Sequence, residues 1–213
     1  MNSITIDSSR CVSALCKMCA EAGTDKGPYA SMGHRHPYTA PYSLFFEPLR
    51  FKNIKFAEVG VHRGASMRVW RSFFTQARIY GYDRDAEHLR YIESFGMPAS
   101  YLRVIDAGNK ESIEEVFTKD TADGELFDVI LDDASHDPTD QATMMETALK
   151  FLKPGGLFMI EDIFRDHPEE TFEVVLKKIK HLVSFHTFIV CDHANRYSPG
   201  WNNDKMLILV RSA

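Results

Sequence analysis

The stretch "IKFAEVGVHRGASMRVWRSFF" (54–74) joins two patterns of different period. Residues 54–60 form an apolar run interrupted by Glu58, as in a strand buried on both faces, and "SMRVWRSFF" (66–74) carries its apolar residues near helical spacing. Gly60 and Gly64 lie in the tight turn between them. A strand feeding a helix through a short turn is half of a parallel crossover, so the fold depends on whether the unit repeats.

It repeats in the C-terminal direction. Strand-like runs recur at "ARIYGYD" (77–83), "YLRVIDA" (101–107), "FDVILDD" (127–133) and "GLFMIED" (156–162), separated by helical patterns at 85–95, 110–117 and 138–152. Such alternation implies a parallel sheet covered on both faces. The rhythm changes after a helix expected around 168–182. There "SFHTFIVCD" (184–192) and "KMLILVRS" (205–212) are strands joined by "HANRYSPGWNN" without a helix, which reads as an antiparallel hairpin. The expectation is an α/β chain with a doubly wound, seven-stranded, mostly parallel sheet and one reversed strand. Residues 1–53 precede the first of these strands, and "GTDKGPYASMGHRHPYTAPY" (23–42) is too rich in Gly and Pro for regular structure. They are expected to form a helix and a lid packed on a domain spanning 54–213, giving a single domain overall.

At 213 residues there is room for one substantial core. The net charge of −5 and the lack of any long Lys or Arg run argue against nucleic acid as the main partner and for a small or cationic ligand. No apolar stretch reaches the ~20 residues of a membrane span, and "MNSITIDSSR" lacks the apolar core of a signal peptide, so the expected location is cytoplasmic, with no membrane partner. Cys11, Cys16 and Cys19 crowd together, but no fourth ligand follows at zinc-finger spacing. Val12, Leu15, Cys16 and Cys19 share a helical face, which favours packed free thiols.

Ligands of open α/β sheets bind beyond the carboxyl ends of the strands. The first such end offers Glu58, Gly60, Gly64 and Ser66, with backbone room for a ligand and a helix N-terminus for an anionic group. A dinucleotide fingerprint would be G-x-G-x-x-G, and His62 puts a side chain where a pyrophosphate needs bare backbone, so the NAD-dependent reading falls behind. Asp83, 23 residues after Gly60, suits the two hydroxyls of a ribose, and Asp106 suits an adenine amino group. Asp132 is counted with the same cofactor side. Either Asp83 or Asp106 taken singly also fits a helix cap. Acids at successive strand ends together describe a pocket for S-adenosylmethionine, whose sulfonium supplies positive charge.

The adjacent ends "DDASHD" (132–137) and "ED" (161–162) bring Asp133, Glu161 and Asp162 toward one point. Three carboxylates suit a hard divalent cation, magnesium above all. A cation stabilises a developing alkoxide, and His136, three residues past Asp133, is positioned to take the acceptor's proton as general base. Asp137 before Pro138 reads as a helix cap. The bland alternatives are a structural His136 and a solvent-facing Glu161 and Asp162.

"GTDKG" (23–27), "HPYTAPY" (36–42), "EVGVHRGAS" (58–66), "YGYDRD" (80–85), "DVILDDASH" (128–136) and "LKPGGLFMIED" (152–162) resemble the macrocin and mycinamicin group of sugar O-methyltransferases. The resemblance implies a Rossmann-like class I fold that uses S-adenosylmethionine and magnesium. It matches Asp133, Glu161 and Asp162 to metal ligands, His136 to the base, and Glu58, Gly60, Asp83 and Asp106 to the cofactor pocket. The interval 161 − 133 = 28 residues fits the family. Ala134 stands where members usually have Gly, and the longer members carry a further N-terminal domain. The implied partner is a small-molecule polyol, a natural-product deoxysugar; a catechol-type O-methyltransferase and a non-catalytic cofactor-binding module stay open, as does a homo-oligomer. Lys26, His34, His36, Tyr38 and Tyr42 on one side, and Arg196, Tyr197, Trp201 and Asn203 on the other, belong to the two candidate lids.

Overall fold

The computed structural model describes residues 3–31, 33–166 and 169–213. Among the described residues eight strands form one sheet: β1 (Ser3–Asp7), β2 (Lys55–Val59), β3 (Arg78–Asp83), β4 (Leu102–Val104), β5 (Phe127–Asp132), β6 (Leu152–Ile163), β7 (Val183–Asp192) and β8 (Lys205–Arg211). Their spatial order is β1-β7-β8-β6-β5-β2-β3-β4. All neighbours are parallel except β8, which runs antiparallel between β6 and β7. The order reverses between β2 and β5, which makes their carboxyl ends the switch point.

The sheet has one strand more than the seven expected. The extra strand is β1, whose five residues are largely exposed on both faces and pair parallel with β7. Its sequence, SITID, is too short and too polar for a periodic signal; an existing edge fixes it. Residues 23–42 are also more regular than expected, because helix α2 (Thr39–Phe46) begins inside them. The expected helix at 168–182 is α7 (Glu170–Ile179) with a short 3-10 turn after it. Its expected start, residue 168, lies outside the described residues, as do residues 1, 2 and 32 of the N-terminal segment.

Both faces of the sheet are covered, which is why the central strands read as near-continuous apolar runs. On one face α1 (Ala14–Ala22), α2, α3 (Ala65–Phe73) and α4 (Ala86–Ser94) pack Leu15, Tyr42, Phe46, Trp70, Phe73 and Ile92 against Phe56, Val129 and Leu131. On the other, α5 (Lys110–Asp120), α6 (Pro138–Ala148) and α7 pack Ile113, Phe117, Met144, Met145, Phe172 and Leu176 against Ala57, Ile130 and Phe158. Trp70 is fully buried among Tyr42, Phe46 and Phe56. Helix starts follow local chemistry: Ser13, Asp85, Asn109 and Asp137 each accept a backbone N–H of the first turn of α1, α4, α5 and α6. Asp137 thus has the capping role expected of it. Cys16 and Cys19 are buried in α1, Cys11 is exposed, and Cys11, Cys16, Cys19 and Cys191 are all free thiols. Among the described residues no helix is long and apolar enough to cross a membrane.

Candidate active site

A cleft of about 650 Å³ opens at the carboxyl ends of β2, β3, β4 and β5. Its lining includes Gly60, Ser66, Asp83, Asp106, Asp133, His136 and Asp162. Glu58, Asp132 and Glu161 are more than 98 % buried and lie beneath the floor, not among the lining residues. The cleft is therefore acidic at its surface and more acidic underneath.

Three of the residues that shape it have positive φ without being glycine: His62 (44°), His136 (57°) and Asp162 (55°). Such conformations cost of order 1 kcal/mol each, and here they gather at one site. Asp162 explains how two consecutive acids meet at one place. In a regular strand Glu161 and Asp162 would face opposite sides. Between Ile160 and Ile163, however, β6 advances 163 − 160 = 3 residues while β8 advances 207 − 205 = 2, so β6 holds one residue extra. This bulge turns Asp162 to the cleft.

Asp133 follows β5, held by its N–H donating to Val59 O at 2.8 Å. His136 Nε2 lies 3.3 Å from Asp133 Oδ1 and 3.2 Å from Asp162 Oδ2. One ligand atom from each of these three residues falls within 4.8 Å of the others. Glu161 is not part of that trio. Its Oε2 accepts from Lys26 Nζ, which also donates to Asp133 Oδ2 and lies 3.5 Å from Glu58 Oε1. A lysine from the N-terminal segment thus supplies positive charge among these carboxylates. The sequence places Lys26 only in the GTDKG motif and in a candidate lid: a single Lys in a Gly-rich loop has no periodicity, and only the fold brings residue 26 beside residues 133 and 161.

The protonation pattern follows from burial. Burial pushes Glu58 and Glu161 up to about 7, with Lys26 opposing. Burial likewise pushes Asp132 up to about 7, against its hydrogen bond from Ala134. Asp162 is also raised, by burial first, with His36 opposing. Asp133 goes the other way, to about 2, because Lys26 and His136 outweigh its burial. For His136, burial disfavours the charged form, but the hydrogen bond to Asp133 and the charges of Asp162 and Asp133 prevail and push it up to about 9. Five acids therefore surround a site with too little positive charge to ionise them all. Glu161 Oε1, Glu58 Oε1 and Asp132 Oδ2 are buried without a hydrogen-bond partner. Hard oxygen donors with unused lone pairs are a fitting donor set for a divalent cation.

At the other end of the cleft Asp83 Oδ2 accepts from His62 N at 2.7 Å, and its Oδ1 accepts from Asp85 N at 2.9 Å. Asp106 is exposed and accepts from Gly108 N at 3.1 Å. Neither is a helix cap, since Asp85 and Asn109 hold those positions. Asp106 stands two residues beyond β4, which is shorter than expected. Ser66 Oγ and Trp70 Nε1 both donate to Glu58 Oε2, so that carboxylate is anchored by α3. The two glycines also answer a need of the chain itself. A Cβ on Gly60 would meet Asp133 O at 1.9 Å, and one on Gly64 would meet Ile92 Cγ1 at 2.7 Å.

Both expected lids lie against the site and against each other. Arg35 and Tyr197 form a two-residue antiparallel bridge, and His34 Nδ1 lies 2.8 Å from Ser198 Oγ. Tyr38 OH lies 2.6 Å from Asp162 Oδ1 and 2.8 Å from Asn203 O. Trp201 stands edge-on to His136, with ring centroids 6.2 Å apart, and is half exposed.

Residues 57–163, half of the chain, match the family model described as "Methyltransferase domain". Among curated proteins, the chain is 32% identical over 136 residues to the 8-demethyl-8-alpha-L-rhamnosyl tetracenomycin-C 2'-O-methyltransferase of Streptomyces olivaceus, covering 60% of this chain and 33% of that protein. It is 28% identical over 142 residues to the mycinamicin VI 2''-O-methyltransferase of Micromonospora griseorubida, covering 62% and 33%. The chain thus spans about a third of the length of these relatives. Its fold is shared with a MycE methyltransferase from the mycinamycin biosynthetic pathway, solved in complex with Mg, SAH and mycinamycin VI, at TM-score 0.66 and 22% identity over 96% of this chain and 56% of that one.

Proposed function

The chain belongs to the methyltransferase-domain family, and from that premise we propose that it transfers a methyl group from S-adenosylmethionine to a hydroxyl of a small polyol, a natural-product sugar, in a magnesium-dependent reaction with His136 as general base. The observation that carries this reading is His136 Nε2 facing the gap between Asp133 Oδ1 and Asp162 Oδ2, at 3.3 and 3.2 Å, on the wall of the cleft. The curated relatives, named for O-methylation of sugar-bearing natural products, support the acceptor class.

Asp83 would accept from the ribose hydroxyls and Asp106 would meet the adenine, with Gly60, Gly64 and Ser66 shaping the turn beneath and Glu58 and Asp132 supplying negative charge under the sulfonium. Asp133, Glu161 and Asp162 would hold the cation, which when bound stabilises negative charge on an acceptor oxygen. Beside Asp133 and Asp162, with burial and Lys26 opposing, His136 keeps its proton at neutral pH. It becomes a base when their charge is compensated, and Nε2 then accepts the proton of the acceptor hydroxyl. The two candidate lids, residues 23–42 and 193–203, would close off the acceptor side and exclude water, and Trp201 offers a flat apolar face to a sugar.

Calorimetric titration should give one site each for S-adenosylmethionine and Mg2+, and a chain that takes up neither is no methyltransferase of this kind. His136→Ala should bind the cofactor normally and lose roughly 10²–10⁴-fold in turnover. Near-normal turnover would remove His136 from the chemistry.

A further inference from the structure

Lys26 has no part in the chemistry above, yet its ammonium is enclosed at the cleft floor with 2 % of the residue exposed. Its contacts are selective. It donates to Oδ2 of Asp133 and Oε2 of Glu161, one oxygen from each carboxylate. The other two oxygens are left over: Asp133 Oδ1 faces His136 at 3.3 Å, and Glu161 Oε1 is buried with no hydrogen-bond partner. The segment that carries Lys26 is itself fixed, by Thr24 N donating to Cys19 O at 3.1 Å at the end of α1 and by His36 N donating to Asp25 O at 2.7 Å.

We propose that Lys26 is a positioning residue of the cation site: it holds one oxygen each of Asp133 and Glu161 and leaves the other two, Oδ1 and Oε1, for a divalent ion. This rests on the proposed function. The physical need is clear from the carboxylates themselves. Without a fixed cation between them, a buried and a half-buried acid repel, rotate apart or take up protons, and a ligand set of that kind has no preset geometry. A lysine suits the role because its ammonium offers three donors from a single point and can bridge two carboxylates not coplanar with one another. Lys26 thus does for this site what hydrogen-bond partners of ligating groups do generally, where their removal costs about 10–100-fold in metal affinity.

Mn2+ uptake followed by loss of the free-ion electron paramagnetic resonance signal tests this on the full chain, with thermal unfolding and calorimetric binding of S-adenosylhomocysteine read on the same samples. Lys26→Met should bind Mn2+ about 10–100-fold more weakly than wild type while still binding the nucleoside. Lys26→Arg, which keeps the charge but not the point geometry, should recover part of the lost affinity. If the Met variant does not fold, the Arg variant carries the test, and its affinity must lie below wild type. Mn2+ binding as tight as wild type or tighter in the folded variants would mean that ammonium and ion compete for the same oxygens, and the proposal would fall. A wild-type chain that takes up no Mn2+ would instead overturn the cation reading itself, a distinct result.

Discussion

Gly60 separates what a residue type announces from why it is needed. Its φ of 91° and its place at the end of β2 mark it as a turn glycine, and sequence alone assigns it to a ligand. The structure gives a nearer cause, since a Cβ would lie 1.9 Å from Asp133 O, the carbonyl of the strand end next door. Gly60→Ala should therefore destabilise the fold by roughly 3 kcal/mol or more, from positive φ plus backbone displacement, with or without cofactor present. Gly124→Ala is the control, because Gly124 has a φ of 81° with open space around it and should show only the conformational cost of ~1–2 kcal/mol. Equal losses of melting temperature in the two would show that the approach of β5 is not the constraint. The strand-end acids were legible for a simple reason: Asp83, Asp133, Glu161 and Asp162 close apolar runs, where a charge is conspicuous. Lys26 was legible only as part of the GTDKG motif and a candidate lid, and its grip on Asp133 and Glu161 was not, since both are more than a hundred residues away in sequence.

At the level of elements, the alternation of strands and helices from 54 onward was readable because each element has a buried face of its own period. The N-terminal elements were not, because β1 borrows its order from β7 and α2 starts within a Gly- and Pro-rich stretch. The bulge in β6 was equally hidden, as "MIEDIF" contains neither Gly nor any break in pattern, and only pairing with β8 reveals the extra residue. Three elements meet at that bulge through Tyr38, at the start of α2, whose hydroxyl lies between Asp162 Oδ1 of β6 and Asn203 O ahead of β8. Asp162 N donates back to the same hydroxyl at 3.2 Å. Tyr38→Phe keeps the ring stacked on His36 and deletes this junction, leaving buried polar groups without their partner. It should cost about 1–3 kcal/mol in denaturant unfolding. A loss below ~0.5 kcal/mol would indicate that Asp162 is satisfied by its histidine neighbours alone.

Across the whole molecule, the segment around residues 33–38 and the loop before β8, far apart in the chain, meet beside the same strand ends, and a buried ion pair joins them. His36 Nδ1 lies 2.7 Å from Asp204 Oδ1 and 3.8 Å from Asp162 Oδ1, with Tyr38 and His34 both stacked on its ring. Burial opposes its charge, but the hydrogen bond to Asp204 and the charges of Asp162, Asp204 and Asp25 prevail, so the imidazole is pushed from 6.5 up to about 9. A folded-state value above the unfolded one means that the protein binds the proton more tightly when folded. The associated stability is fully present below pH 6.5 and is lost as the pH rises through 9. The shift corresponds to about 3 kcal/mol. The lowered Asp204 is in part the same pair seen from its acid side, with Arg196 as its second partner. Denaturant unfolding of wild type and His36→Gln should therefore differ by about that amount at pH 6 and converge near pH 10. Because Tyr38 is held well above its usual range by burial and Asp162, it does not titrate in this window and cannot mimic the effect. A constant difference between the two proteins from pH 6 to 10 would mean that His36 holds the two ends of the chain by packing and not by charge.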